Sequence, residues 1–225
     1  MNARVSNQEP AQPMAVDEAT PGSGPSLPQL SLTIERTDWS TAGEAIVAIR
    51  AAVAPELGLS DNWDAACPHF VALRGQNIVG AARIISACDG PLDLESILPL
   101  PIPEACRTEI VSASRFIAVP SEALAIRTIL KRLIREACVY SWPLGRRAAL
   151  VTGPDKLTDF YTRTIGTVPV SSPTLHPRTH RSVRLQKYIP APGGKGVIDD
   201  IVASLPGPRI SDELLSWFKS IEDTP

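Results

Sequence analysis

Apolar and polar positions fall into short blocks whose period changes along the chain. LSLTIERTDW, ending at Trp39, alternates with the period of two of a half-buried strand, and Ser40 or Thr41 can cap a helix after it. Ala45, Ile46, Val47, Ile49, Ala52 and Val53 carry that helix, with Arg50 on it, and it should stop near Pro55. Residues 69–85, HFVALRGQNIVGAARII, predict a hairpin in which two apolar strands flank Arg74, Gly75, Gln76 and Asn77.

Residues 109–140 predict a buried strand running straight into a long amphipathic helix. Ile110, Val111, Phe116, Ile117, Ala118 and Val119 suit a central strand, which Pro120 stops because proline has no N–H for the ladder. Ser121 can cap the helix, and Ile126, Ile129, Leu130, Leu133, Ala137 and Tyr140 gather on one face of it. Beyond it come a short strand at about 147–152 and a helix over DKLTDFYTRTIG closed by Gly166. Strand candidates at 167–170 and 180–189 follow, then a final helix, SDELLSWFKSIED, capped by Ser211 with Ile210, Leu214, Phe218 and Ile221 along one face. The order is β, α, hairpin, long loop, β, α, β, α, β, β. It predicts an α/β (α+β) fold, a central mixed sheet with helices on both faces.

Proline, glycine and serine divide the chain further. Residues 1–28 hold five prolines and no hydrophobic period, which predicts a disordered leader. The domain then covers 29–190, a Pro/Gly linker 191–208, and an amphipathic helix 209–225 whose apolar face must fold back or meet a partner. SACDGPLDLESILPLPIPEACRT, between hairpin and central strand, is long for a loop in a compact domain, and such loops are usually functional or lie over a site.

Composition narrows the function. With 225 residues, 44% of them hydrophobic, the chain can bury a sizeable core, and a net charge of −2 argues against a general nucleic-acid binder. No apolar run approaches the ~20 residues of a membrane span, and the N-terminus lacks the apolar core of a secretory signal. The four cysteines lack CxxC spacing, as expected of reduced thiols in a cytoplasmic protein. His176 and His180 are separated by Pro177, which disfavours the helix that would aim both at one metal, so no metal site is expected.

Against this background a few polar residues stand out. Asp61 and Asp64 bracket Trp63 in a polar loop, either as turn-capping acids or as a pair of ligand-binding carboxylates. Gly80 permits a close approach to its strand, and Arg83 offers a planar five-donor fork for a carboxylate. Arg115 sits in a strand where packing alone would choose an apolar residue. Arg127, Lys131, Arg132 and Arg135 form a basic helix face, either solvated or a docking surface for an acidic partner.

These residues together resemble the acyl-homoserine-lactone synthases (autoinducer synthases), a branch of the GNAT acyltransferase fold. That family shows an arginine on the first helix, a D-x-[aromatic]-D loop, a strand G-x-x-R and a strand E-x-S-R-F. The matches are Arg50; Asp61, Trp63 and Asp64; Gly80 to Arg83; and Ser114, Arg115 and Phe116, spread over roughly residues 31–190. Ser112 stands where the family has its glutamate, and Glu109 would share a face with Arg115 in a regular strand. The glycine-rich pyrophosphate loop of acetyl-CoA-dependent GNAT enzymes is replaced by AVPSEALAIR.

The resemblance implies a three-layer GNAT-like fold and acyl transfer from a thioester, carried on acyl carrier protein or CoA, to the amine of S-adenosylmethionine, followed by lactone closure to a quorum-sensing signal. No tightly bound cofactor is implied. It casts Glu109, Arg115 and Tyr161 as catalytic, with Tyr161 as donor to the leaving thiolate. Arg50, Asp61, Trp63, Asp64, Arg83, Ser114 and Phe116 would bind substrate, and Arg127, Lys131, Arg132 and Arg135 would receive the donor. Structural alternatives remain open: Arg115 pairing with Glu109, and Phe116 and Tyr161 as core. An N-acyl amino acid synthase, or a domain that binds without catalysis, would look alike at this level.

Overall fold

The computed structural model describes residues 31–55, 60–119, 125–177 and 180–224. The expected leader and the expected stop and cap at Pro120 and Ser121 lie outside the described residues.

The chain begins with β1 (Leu32–Thr37) and α1 (Trp39–Val53). Asp38, not Ser40 or Thr41, precedes the first turn of α1, and it makes no side-chain cap. The hairpin is β2 (His69–Arg74) and β3 (Asn77–Ser86), followed, after the long loop, by β4 (Ile110–Ala118) and α2 (Ile126–Ser141). Then come β5 (Ala148–Pro154), α3 (Thr158–Ile165), β6 (Val168–Pro169), β7 (Thr174–Leu175), β8 (Ser182–Tyr188) and α4 (Asp212–Glu222). Gly166 ends α3 with φ 87, a left-handed conformation that glycine adopts without steric cost.

The strands make one sheet in the order β1-β2-β3-β4-β5-β8-β6, with β7 on β8. All pairings are antiparallel except β4 with β5, and that one extends only from Ile110–Ala148 to Ser112–Leu150. Beyond Ser112 the two strands part, opening a cleft in mid-sheet.

Helices cover both faces, as the element order requires. Ile129, Leu130, Leu133 and Ile134 of α2 and Ile165 of α3 pack on Ala82, Ile84, Val111, Ala113 and Val151. On the other face α1 packs Ile46 and Ile49 against Ala81 and Ile117, while α4 buries Leu214, Trp217, Phe218 and Ile221 against Ile85, Ile110 and Leu150. A Cβ at Gly80 would meet Ile129 Cγ2 at 2.7 Å, so glycine there lets α2 lie close on the sheet.

The middle of residues 191–208, expected as a flexible linker, is packed onto the domain. Val197, Ile198 and Val202 are buried in the α2-side core, and buried Asp199 accepts hydrogen bonds from Tyr188 Oη at 2.9 Å and Gly196 N at 2.8 Å. Short apolar residues between the prolines and glycines, too few to show a period, explain the difference. The final helix folds back onto the domain, capped by Ser211 Oγ accepting from Leu214 N at 3.1 Å. Among the described residues no helix is long and apolar enough to cross a membrane.

Candidate functional site

One irregularity in β4 brings two arginines together. Val111 and Ala113 face α2, while Ser112 and Ser114 face the side on which Arg83 lies. Regular alternation would put Arg115 under α2 and Phe116 on the opposite side. Arg115 instead has φ 57, in the left-handed region, and the β3–β4 register shifts between Ala81 and Arg83. The bulge uses up one residue, so Phe116 joins the α2-side core and the Arg115 guanidinium reaches Asp61 beside Arg83. Left-handed backbone costs a non-glycine residue about 1–2 kcal/mol. Such strain persists where the surroundings enforce it, and commonly at functional sites.

The acidic turn supplies the counter-charges. Asp61 Oδ1 accepts from Trp63 N at 2.9 Å, and Asp61 N donates to Asp64 Oδ2 at 3.0 Å, so the turn holds its own carboxylates in place. The turn-capping reading of this loop therefore holds, and the same oxygens also bind arginine. Arg50 grips Asp64 with two bonds, Nη1 to Oδ2 at 2.7 Å and Nη2 to Oδ1 at 2.9 Å. Arg83 Nη1 donates to Asp64 Oδ1 at 2.9 Å and to Asp61 Oδ1, and its Nη2 to Ser114 Oγ at 3.4 Å. Arg115 Nη2 closes the network on Asp61 Oδ2 at 2.9 Å.

Burial grades this network from back to front. Arg83, Asp64 and Arg50 are 0%, 1% and 2% exposed. The Arg115 and Asp61 side chains keep 13% and 16% of their exposure and form the accessible edge. Burial would raise both carboxyls, but Arg83 and Arg115 hold Asp61 well below the usual carboxylate range, and Arg50 and Arg83 lower Asp64. Arg83 thus stands behind the site and fixes both aspartates, with Arg115 at its accessible edge.

His69 buttresses the network from behind. It is fully buried, its Nε2–H donates to the Asp64 carbonyl at 2.9 Å, and its Nδ1 has no hydrogen-bond partner among the described residues. Burial lowers its pKa, so the imidazole stays neutral. Trp39 lies against it with ring centroids 5.1 Å apart and also takes the Arg50 guanidinium on its face at 5.3 Å.

Other expected site residues fall elsewhere. Glu109 does not meet Arg115: it ends a 3-10 turn before β4, and its Oε2 accepts from Ser211 N at 3.0 Å, securing the start of α4. The expectation assumed a regular strand through residue 109, whereas the strand begins at Ile110 and is bulged at Arg115. Tyr161 is buried on α3 against Gly153 of β5, and burial raises its hydroxyl pKa, so it remains protonated. On α2, Arg127, Lys131 and Arg132 are exposed. Arg135 is engaged, its Nη1 donating to Asp200 Oδ1 and to the Val197 carbonyl, both at 2.7 Å.

The long loop before β4 brings a carboxylate that the sequence reading overlooked. Ser112 Oγ donates to Asp93 Oδ1 at 3.4 Å, and Asp93 Oδ2 lies 3.9 Å from Arg83 Nη2. The only local signal was a lone acid between Leu92 and Leu94, both of which are buried. Trp63 lies on Gly90 of the same loop, where a Cβ would meet its ring at 3.0 Å, and thereby joins the loop to the acidic turn.

On the other face, at the cleft, Val111, Ala113, Phe116, Ile134, Ala137, Cys138 and Val151 line an apolar cavity of about 20 Å³, room for roughly one water. Burial pushes the Cys138 thiol up to about 12, so it is a wall of that cavity and not a nucleophile.

No protein-family model and no curated protein matches this sequence. Solved structures do match in shape. The AHL synthase LasI superposes with a TM-score of 0.59 at 16% identity, over 81% of this chain and 97% of LasI. MesI, a CoA-dependent acyl-homoserine lactone synthase, gives 0.56 at 17% identity over 80% of this chain and all (100%) of its own. FeeM, an N-acyl amino acid synthase from uncultured soil microbes, gives 0.56 at 12% identity over 71% and 90%. At such identities the likeness speaks for architecture alone: this chain has the GNAT acyltransferase fold.

Proposed function

We propose that the protein is an N-acyltransferase that moves an acyl group from a thioester to the amine of S-adenosylmethionine, making an N-acyl-homoserine lactone signal in the cytoplasm. The observation that carries this reading is the convergence of Asp61, Asp64, Arg83 and Arg115 at the point where β4 and β5 part. A cationic amino acid needs a carboxylate for its positive groups and a guanidinium for its carboxylate, and Asp61 and Arg115 present both at one edge. The apolar cavity on the opposite face suits the start of an acyl chain, which must widen it to enter.

The chemistry then follows from that arrangement. The acceptor nitrogen must be neutral to attack the thioester carbonyl carbon, and the thiolate must be protonated as it leaves. Tyr161, kept protonated by burial, is the candidate donor on the cavity side. Lactone closure follows when the bound carboxylate attacks the carbon attached to sulfonium and the thioether departs. Arg127, Lys131 and Arg132 give α2 an exposed basic face suited to acyl carrier protein. Arg135 contributes less, because Asp200 already neutralises it.

Ser112 favours a second reading, a free amino acid as acceptor, because the resemblance to the lactone synthases calls for a glutamate there. Incubating the purified chain with S-adenosylmethionine or free amino acids, and with acyl carrier protein or CoA thioesters, separates the two by mass spectrometry. Acyl-homoserine lactone supports the first reading and linear N-acyl amino acid the second. Absence of any acylated amine, with every donor, refutes both.

A further inference from the structure

Any amine acylation needs a group that takes a proton from the acceptor's ammonium, and the arginine-bound aspartates are poorly suited to it. Asp64 is shut away at 1% exposure between Arg50 and Arg83, and Asp61 is held by Arg83 and Arg115. A carboxylate so strongly paired is a weak base.

Asp93 differs in each respect. Its side chain keeps 26% of its exposure, and among the described residues its nearest cation is 3.9 Å away and its one hydrogen-bond donor is the neutral Ser112 hydroxyl at 3.4 Å. Ser112 is the last β4 residue paired with β5, so this carboxylate lies where the cleft opens.

The loop is built to hold it there. Arg107 donates Nε to the Ala87 carbonyl and Nη2 to the Gly90 carbonyl and Glu95 Oε1, each at 2.8 Å, and Leu92 N donates to the same Glu95 oxygen at 2.8 Å. Leu92 and Leu94, 4% and 1% exposed, anchor both sides of Asp93 in the core. A carboxylate flanked by two buried leucines and a clamped backbone is preorganised, as a proton acceptor must be.

We propose that Asp93 is the general base of the acylation, held beside Ser112 by the loop that carries it. The inference rests on the amine-acylating function proposed above. The acceptor ammonium gives one proton to the Asp93 carboxylate, and the neutral nitrogen attacks the thioester carbon. The C–N bond forms, the C–S bond breaks, Tyr161 gives its proton to the leaving thiolate, which departs as free thiol, and the nitrogen's second proton restores the Tyr161 hydroxyl. Asp93 then returns its proton to solvent, to which it is open.

The test compares wild type, Asp93→Asn and Asp93→Ala with whichever amine and thioester the wild type converts. Asparagine keeps the size and the contact with Ser112, so the thermal midpoint should not move while kcat falls about 100-fold, the ordinary contribution of a positioned base. Added formate should restore part of the rate in Asp93→Ala but leave wild type unchanged. A purely structural role would not respond to formate. Wild-type acylation with Asp93→Asn within threefold of it, or with no response to formate, overturns the inference and leaves the proposed function standing. A wild type that acylates no amine overturns both.

Discussion

Arg115 and Phe116, adjacent in sequence, serve opposite faces of the sheet because Arg115 takes a left-handed backbone within β4. The strain is tied to the guanidinium's reach to Asp61, which gives a separable prediction. Arg115→Ala and Arg115→Gly should both abolish acyl transfer, but the glycine variant should be more stable than the alanine variant by about 1 kcal/mol in urea unfolding. Equal stabilities would mean that the bulge relaxes when the side chain is lost.

Asp64 neutralises two arginines that have no route to solvent. Replacing it by alanine strands buried charge, which typically costs about 3–5 kcal/mol. Asp64→Ala should therefore lower the thermal midpoint by many degrees or fail to fold. Asp61→Ala, at the accessible edge, should lose activity with a much smaller loss of stability.

Acid should weaken the fold in two stages. His69 is neutral in the folded protein and has a lowered pKa, so the unfolded chain, titrating near ~6.5, binds its proton first. Stability attached to the neutral ring is complete above that pH and declines as pH falls below it. His69→Gln should remove this decline between about pH 7 and 5, measured by chemical denaturation at each pH. Asp61 and Asp64 are likewise lowered, so their contribution is complete above ~4, the unfolded carboxyl value, and lost on further acidification. That second stage should persist in His69→Gln.

Ile134 and Ala137 project from α2 into the small apolar cavity. If acyl chains enter there, Ile134→Ala should shift the preferred thioester toward longer chains, and Ala137→Leu toward shorter ones. Competition between thioesters of different length, read by mass spectrometry, checks both. Unchanged preference in the two variants would place the chain elsewhere.

Much of the fold is legible in the sequence, because strand and helix announce themselves by local period. The hairpin over 69–85, the Ser211 cap and the Gly166 helix end depend only on neighbouring residues, and each appears in the structure. Segment 191–208 was misjudged because its three anchoring residues, Val197, Ile198 and Val202, become meaningful only when the core they fill exists.

The site divides in the same way. The resemblance to the lactone synthases, with chain order, singled out Arg50, the Asp61–Asp64 turn, Arg83 and Arg115, and Arg115 also stands out because charge in an apolar stretch is costly and therefore informative. Glu109 and Asp93 show what the sequence could not decide. A one-residue bulge reverses which side chains share a face, and Glu109 is committed to Ser211, 102 residues away along the chain. Asp93 reaches Ser112, 19 residues further along, from a loop in which no period exists to be read. Local physics determined the elements and the charged residues worth watching; only long-range packing decided which carboxylate stands at the mouth of the cleft.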